Sequence, residues 1–368
     1  MTDAPFDYDP DNYERRLKQK ASTVGAFFDA LCAPAPELFP SPASGFRMRA
    51  EFRIWHDGDE LDYVMFKRGE PRTPVKIPSF PIACDTIQAL MAPLRERLRS
   101  NRELRSKLFQ IEFLSTLAGD TLVSLIYHRR LDDTWESAAG ELASELGVAI
   151  VGRSRKQKLV IGRDFVTERL VINGREFSYR QYEQAFTQPN AVVNTRMIEW
   201  ALSVSQGLPG DLLELYCGNG NFTLPLAGNF GEVIATELSK ASARAAHHNL
   251  EDNGISNVHM IRLAAEEVSQ AMAGVRAFRR LAVLPKALSE YALETVFVDP
   301  PRAGLDPATV SMVSDFDRIL YISCNPTTLA ENCTALGDTH RITRFAMFDQ
   351  FPYTDHMECG VLLERNGA

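Results

Sequence analysis

The sequence predicts an α/β protein, with an N-terminal α+β domain followed by a C-terminal domain built on a doubly wound, mostly parallel sheet. Three observations predict this class. After about residue 183, short apolar runs alternate with helical patterns, which is typical of a parallel sheet. Before that point, strand patterns and basic runs dominate. The 368 residues, 45% hydrophobic and 24% charged, fit two globular domains. We therefore predict an N-terminal region over 1–182 and a C-terminal domain over 183–368.

The N-terminal region begins with a helical pattern over residues 11–32, followed by a proline-rich segment. A strand is predicted over 46–55, where arginines alternate with apolar residues. Because side chains alternate between the two faces of a strand, we expect Arg47, Arg49 and Arg53 to share one face. A helix with a basic C-terminal end is predicted over 81–107, and a β-hairpin over 109–130.

The net charge of −8 is unevenly distributed. Residues 1–190 contain 27 basic and 27 acidic residues, whereas residues 191–368 contain 13 and 21, so the whole acidic excess lies in the C-terminal part. The segment 151–180 carries eight basic residues against three acidic ones. Such a run forms either a solvated surface or a surface that faces phosphate, and the sequence leaves both interpretations open.

The strongest local signal is the segment DLLELYCGNGNF, residues 211–222. It predicts a buried strand, a tight turn at Gly218 and Gly220, and then a helix; glycines there let a ligand approach the backbone. Glu237 ends the next predicted strand, where its carboxylate can accept hydrogen bonds from the ribose of NAD or of S-adenosylmethionine. A dinucleotide requires a third glycine, and Thr223 occupies that position, which favours S-adenosylmethionine. A turn without a ligand is the remaining alternative.

Three further segments are expected at the same edge of the sheet. Asp299 begins a DPPRAG loop after an apolar strand, and the paired prolines prevent a helix directly after it. Cys324 lies in the motif SCNP at the end of the next strand, and Glu358 precedes the final apolar run. Cys324 and Glu358 each have a plain structural interpretation, since a cysteine at a strand end is often part of a core and a glutamate in a turn is often solvated.

Four motifs together resemble the RNA uracil-5 methyltransferases that use S-adenosylmethionine: GNGNF after ELYC, DPPRAGLD, SCNP and the terminal HMEC. The likeness extends over essentially the full length and is strongest to the bacterial tRNA-directed members. It implies a class I, Rossmann-like S-adenosylmethionine-dependent domain after a tRNA-binding region. The implied reaction is methylation of C5 of the T-loop uridine at tRNA position 54, to give 5-methyluridine, with a tRNA-like T-loop in tmRNA as a further substrate.

The resemblance also assigns roles to individual residues. Cys324 becomes the nucleophile that adds to C6 of uracil, because C5 is too weak a nucleophile to take a methyl group unaided. Glu358 becomes the base that removes the C5 proton. The residues assigned to the cofactor are Gln188, Tyr216, Asn221, Glu237 and Asp299.

Recognition of the T-arm requires aromatic and cationic side chains, because unstacked RNA bases are read by stacking and by hydrogen bonds to their edges. We expect Arg47, Arg49, Arg53 and Phe109 to contact RNA, with a core position as the alternative for Phe109. Two other functions stay open: an rRNA uracil-5 methyltransferase, and a tRNA-binding protein that remodels RNA. A nicotinamide oxidoreductase is the least favoured interpretation.

Several absences are expected as well. The six cysteines form no C-x-x-C pair, so we expect neither a metal site nor an iron–sulfur cluster, which rRNA-directed relatives usually carry. No signal peptide and no membrane span are predicted, and the expected location is the cytoplasm. No obligate protein partner is inferred.

Overall fold

The computed structural model describes residues 6–67 and 73–367. The chain forms two compact units. The first unit contains the residues through Pro10 together with Pro42–Arg169 and Arg180–Ala191. The second contains Asp11–Ser41, Leu170–Tyr179 and the chain from Val192 onward.

The first unit is built on a mixed sheet with helices packed against it. Its strands run in the order β4-β3-β2-β5-β6-β7-β8, and β6 and β7 are its parallel neighbours. The strands are β2 (Arg49–Asp57), β3 (Glu60–Phe66), β4 (Pro74–Lys76), β5 (Leu108–Ser115), β6 (Thr121–Tyr127), β7 (Ala149–Ser154) and β8 (Gln157–Ile161). The helices are α2 (Asp85–Ser100), α3 (Arg102–Arg105) and α4 (Asp133–Leu146).

The second unit is a doubly wound sheet of eight strands in the described residues, in the order β1-β16-β17-β15-β14-β11-β12-β13. Strands β11 to β15 run parallel to one another, and β17 runs antiparallel to β15 and β16. The strands are β1 (Glu37–Phe39), β11 (Asp211–Leu215), β12 (Val233–Thr236), β13 (Val258–Ile261), β14 (Leu293–Val298), β15 (Arg318–Ser323), β16 (His340–Phe348) and β17 (Glu358–Arg365). The helices are α1 (Tyr13–Gly25), α6 (Thr223–Leu226), α7 (Lys240–Asp252), α8 (Ala265–Met272), α9 (Pro307–Val313) and α10 (Pro326–Leu336).

Three elements contribute residues to both units. Strands β9 (Phe165–Ile172) and β10 (Arg175–Tyr182) form a two-stranded sheet, and α5 (Ala191–Ser205) follows it. The predicted boundary at 182 and 183 is simpler than the observed division, because the chain enters the second unit twice before residue 180. The first entry is fixed by β1, whose Glu37–Phe39 pairs in parallel with β16.

The predicted strands of the C-terminal domain are confirmed, and so is the hairpin formed by β5 and β6. The predicted helices are shorter in the structure. The helix expected over 11–32 ends at Gly25. The helix expected over 81–107 breaks at Asn101, because the Asn101 side chain accepts the amides of Glu103 and Leu104 at 2.9 and 3.1 Å and begins α3.

Candidate active site

The parallel strands of the second unit end at one edge of its sheet. β11, β14 and β15 are neighbours that run in the same direction, so the loops that follow them begin at a common edge. β17 runs in the opposite direction, and its first residue therefore lies at that edge too. In doubly wound sheets, ligands bind at the carboxyl ends of the strands.

The turn after β11 has the backbone that its glycines predict. Gly218 and Gly220 have φ angles of 59° and 86°, and Tyr216 also adopts the left-handed conformation, with φ of 61°. A Cβ at Gly220 would lie 2.6 Å from the Leu224 side chain, so a larger residue would displace that side chain. The helix predicted after the turn is the single turn α6.

Glu237 is oriented by two backbone amides. The Gly218 amide donates to Glu237 Oε2 at 3.0 Å, and the Ser239 amide donates to Oε1 at 2.6 Å. The carboxylate is only partly buried, and each oxygen keeps a lone pair for a further hydrogen bond. This geometry suits a group that presents two neighbouring hydroxyls.

Asn221 is held by a partner that the sequence analysis did not identify. The side-chain amides of Asn221 and Asn194 exchange two hydrogen bonds of 2.8 Å each. The Tyr179 hydroxyl also donates to the Asn221 carbonyl at 3.1 Å. Asn194 lies on α5, far from the glycine motif in sequence, so only the fold reveals its role in fixing the turn.

Glu214 is a buried carboxyl group directly before the glycine turn. Its side chain is almost fully buried, at 1% exposure, and neither carboxylate oxygen has a hydrogen-bond partner among the described residues. Burial, together with the nearby charge of Asp299, raises the pKa of Glu214 to about 8, and the Thr223 side chain opposes the shift. Such a group is complementary to a cation, because burying a carboxylate without compensation is costly.

Cys324 and Glu358 come together through strand register. In the antiparallel pair of β15 and β17, Ser323 lies opposite Cys359. Cys324 is one residue beyond Ser323 and Glu358 is one residue before Cys359, so both leave the same end of the strand pair. Cys324 is partly exposed, whereas Glu358 is 2% exposed.

Four ionisable groups interact at this point. Burial, and after it the charges of Glu358 and Asp299, raise the pKa of the Cys324 thiol to about 11, whereas the Arg302 guanidinium opposes the shift by charge and by a hydrogen bond. Burial also raises the pKa of Asp299 to about 7 and the pKa of Glu358 well above its ordinary range. Arg302 is therefore the group in this cluster that favours the thiolate.

The loop that carries Arg302 is tied to the loop that carries Cys324. Asn325 Nδ2 donates to the Arg302 carbonyl at 2.9 Å, and Thr328 Oγ1 donates to the same carbonyl at 3.3 Å. Asn325 Oδ1 accepts the Thr327 amide at 3.2 Å, which caps α10. One asparagine thus fixes the spacing between the cysteine and the arginine.

In the first unit, two of the four residues predicted to contact RNA form a stack. The Arg53 guanidinium lies over the Phe109 ring, 3.8 Å from its centroid, and the His128 ring stacks on Phe109 with centroids 4.0 Å apart. Phe109 is partly exposed, which excludes the core position considered for it. His128 carried no sequence signal of its own.

The other predicted RNA contacts are more enclosed. Arg49 donates to the Ala185 carbonyl at 2.8 Å and lies 3.7 Å from the Glu112 carboxylate. Arg47 precedes β2 and is half-buried, whereas Arg53 is exposed, and burial lowers the pKa of the Arg47 guanidinium. Gln188, predicted to bind the cofactor, also belongs to the first unit and directly precedes Pro189.

Comparison with known proteins shows to which family the chain belongs. The family model described as tRNA (uracil-5-)-methyltransferase matches residues 12–366. The chain belongs to this family. The prediction made from its motifs is confirmed, and with it the prediction that the chain is an enzyme.

Relatives within the tRNA (uracil-5-)-methyltransferase family cover almost the whole chain. A protein of Aromatoleum aromaticum named tRNA/tmRNA (uracil-C(5))-methyltransferase is 53% identical over 360 residues, which is 98% of this chain and 97% of the relative. One of Pseudomonas entomophila with the same name is 54% identical over 358 residues, or 97% and 99%.

A solved structure supports the fold class. The chain is similar to the tRNA (uracil-54, C5)-methyltransferase of Pyrococcus abyssi in complex with S-adenosyl-L-homocysteine, with a TM-score of 0.72 and 22% identity. The alignment covers 96% of this chain and 83% of that one. The predicted α/β class with a Rossmann-like methyltransferase domain is confirmed.

The described residues contain neither a metal-binding cluster nor a membrane-spanning helix. No group of three or more His, Cys, Asp or Glu side chains in 6–67 and 73–367 is arranged to hold a metal ion. Within the same ranges, no helix is both long and apolar enough to cross a membrane.

Proposed function

We propose that this chain transfers a methyl group from S-adenosylmethionine to C5 of the T-loop uridine at position 54 of tRNA, through a covalent bond between Cys324 and C6 of uracil. The same T-loop in tmRNA is proposed as a second substrate, since the Aromatoleum relative is named for both RNAs. The observation that carries the proposal is the register of β15 and β17, which brings Cys324 and Glu358 to one strand end.

The first step belongs to Cys324. Its Sγ, deprotonated, adds to C6 of uracil, and the electrons of the C5–C6 double bond move to C5 as an enolate. Arg302 supports this step because it favours the thiolate, and the carbonyl contacts of Asn325 and Thr328 hold its loop in place. Uracil C5 is then nucleophilic enough to take the methyl group.

Glu358 completes the reaction. Its carboxylate accepts the proton of C5, the C5–C6 double bond forms again, and the bond between Cys324 Sγ and C6 breaks. The products are 5-methyluridine, S-adenosylhomocysteine and one proton. Glu358 must be ionised for this step, and the charge of the Arg302 guanidinium opposes the rise of its pKa.

The residues around the glycine turn fit S-adenosylmethionine. Its sulfonium supplies an activated methyl group when it is bound. Glu237 presents a carboxylate oriented toward two hydroxyls, and the buried carboxyl group of Glu214 favours a cationic ligand. We assign cofactor contacts to Gln188, Tyr216, Asn221, Glu237 and Asp299.

The surface of the first unit fits RNA. The stack of Arg53, Phe109 and His128 offers an aromatic platform for a base, since bases stack on aromatic rings and on guanidinium planes. His128 also lines a groove of about 950 Å³ whose ten lining residues, all described, include no Asp or Glu. Its exposed cations Arg130, Arg155 and Lys156 suit phosphate. We accordingly propose that region 1–182 binds the T-arm through Arg53 and Phe109, with Arg47 and Arg49 as supporting residues.

The test is to map the methylated nucleotide. Unmodified tRNA transcripts are incubated with the enzyme and methyl-labelled S-adenosylmethionine, and the RNA is digested and analysed by mass spectrometry. We expect one methyl group on uridine 54, none in a transcript with cytidine at that position, and none with Cys324→Ala. A methyl group at another position, or in rRNA but not tRNA, would refute the proposed substrate. Retained methylation in Cys324→Ala would refute the covalent mechanism.

A further inference from the structure

We propose that Lys20 is a positioning residue for Glu358. Its Nζ donates to three acceptors: the Asp349 carboxylate, the Phe351 carbonyl at 3.1 Å and the His356 carbonyl at 2.9 Å. These acceptors lie at both ends of the loop that joins β16 to β17. One ammonium group therefore uses its three protons to close the loop that leads to the proposed base.

Asp349, one of the three acceptors of Lys20, is held in place by two other segments of the chain. Asp349 is buried, at 1% exposure, and its second carboxylate oxygen accepts the Tyr13 hydroxyl at 2.9 Å. That hydroxyl in turn accepts the Ser41 amide at 2.7 Å, and the Asp349 amide donates to the Phe39 carbonyl at 3.0 Å. Helix α1 and strand β1 thus provide a fixed frame, which explains why an N-terminal helix belongs to the second unit.

The position of the Glu358 carboxylate depends on this loop. His356 precedes Glu358 by two residues, and strand pairing begins at Glu358, opposite Phe348. Only Met357 separates the bonded carbonyl of His356 from Glu358, so a released loop moves the carboxylate directly. Displacing a catalytic group by about 1 Å can cost on the order of 100-fold in rate. Lys20 itself acts through the backbone and not on the uracil.

This inference rests on the proposed function. Two RNA substrates distinguish a defect in proton removal by Glu358 from a defect in the earlier steps. With ordinary tRNA, turnover requires Glu358 to remove the C5 proton. With tRNA containing 5-fluorouridine, the covalent adduct forms but fluorine cannot leave as a proton, so the trapping rate reports only the steps before proton removal. Lys20→Met should slow turnover on the order of 10- to 100-fold. It should trap 5-fluorouridine tRNA within about twofold of the wild-type rate, and it should accumulate adduct with ordinary tRNA, as expected on the loss of a positioned base.

Two variants complete the design. Lys20→Arg keeps the cation and should recover part of the lost turnover, which also tests the inference if Lys20→Met does not fold. Lys18→Met removes an exposed lysine from the same helix and should leave both rates unchanged. Equal losses of trapping and turnover in Lys20→Met and Lys20→Arg, or wild-type turnover in Lys20→Met, would overturn the role of Lys20. Failure of the wild-type enzyme to trap 5-fluorouridine tRNA would instead refute the Cys324 mechanism, and the inference with it.

Discussion

The role of Arg302 can be tested on the free enzyme through the reactivity of Cys324. A thiol whose pKa is about 11 has about one thiolate in a thousand molecules at pH 8, and that fraction rises about tenfold per pH unit below the pKa. Arg302 lowers this pKa, so Arg302→Met should raise it. An opposite charge within about 4–6 Å is worth about 1–3 pKa units; because Arg302 is exposed, we expect about one unit, or a tenfold loss of thiolate.

The assay is alkylation of the free enzyme with iodoacetamide at pH 7 to 10, with Cys324 followed by peptide mass spectrometry. The wild-type rate at Cys324 should rise about tenfold per pH unit without a plateau below pH 10. Arg302→Met should react about tenfold more slowly at pH 9, and the control Arg341→Met, which removes an exposed arginine from β16, should match the wild type. A plateau below pH 9 would refute the raised pKa, and an unchanged rate in Arg302→Met would show that the guanidinium does not act on the thiol.

Three further predictions concern Glu358, Glu214 and Phe109. Glu358→Gln should form the covalent adduct but release it about 10²–10⁴-fold more slowly, seen as a persistent protein–RNA band on denaturing gels; turnover without that band would contradict its role as the base. The pKa of Glu214 is about 8 in the folded state and 4.5 ordinarily. Between these values the unfolded chain loses this proton while the folded protein keeps it, so the free energy of unfolding falls as pH rises. Glu214→Gln should therefore raise the free energy of unfolding of the ligand-free enzyme at pH 8 by up to about 4 kcal/mol, with little gain near pH 4.5, and an equal effect in urea titrations at both pH values would rule this out. Phe109→Ala removes the ring that lies between Arg53 and His128 and orders the two groups on which a base would stack. Because stacking one base is worth about 1–3 kcal/mol, the KM for tRNA should rise about tenfold at unchanged kcat. An unchanged KM would remove Phe109 from the interface, and Phe27→Ala, which removes an exposed phenylalanine of the second unit, is the matched control.

The sequence predicted the parts of the site that depend on local patterns. Strand–helix alternation predicted β11 to β15, and the glycines predicted the left-handed turn before α6. Contacts between distant segments have no such pattern. Nothing near Asn194 indicates that it pairs with Asn221, and nothing in the first helix indicates that Lys20 bonds residues 349–356. Arg302 was visible in the DPPR motif, but its action on Cys324 depends on loop packing.

Three buried carboxyl groups of the second unit share one electrostatic property. Glu214, Asp299 and Glu358 all have raised pKa values, because burial disfavours their charged forms and Asp299 acts on both of the others. Burial, and after it the charges of Glu358 and Asp299, oppose ionisation of Cys324, so the ligand-free enzyme keeps its thiol protonated. A bound sulfonium cation would favour the ionised form of each carboxyl group and offset its effect on the thiol. On the proposed function, this site would receive a cationic cofactor, and Arg302 is the group of the chain itself that lowers the pKa of both Cys324 and Glu358.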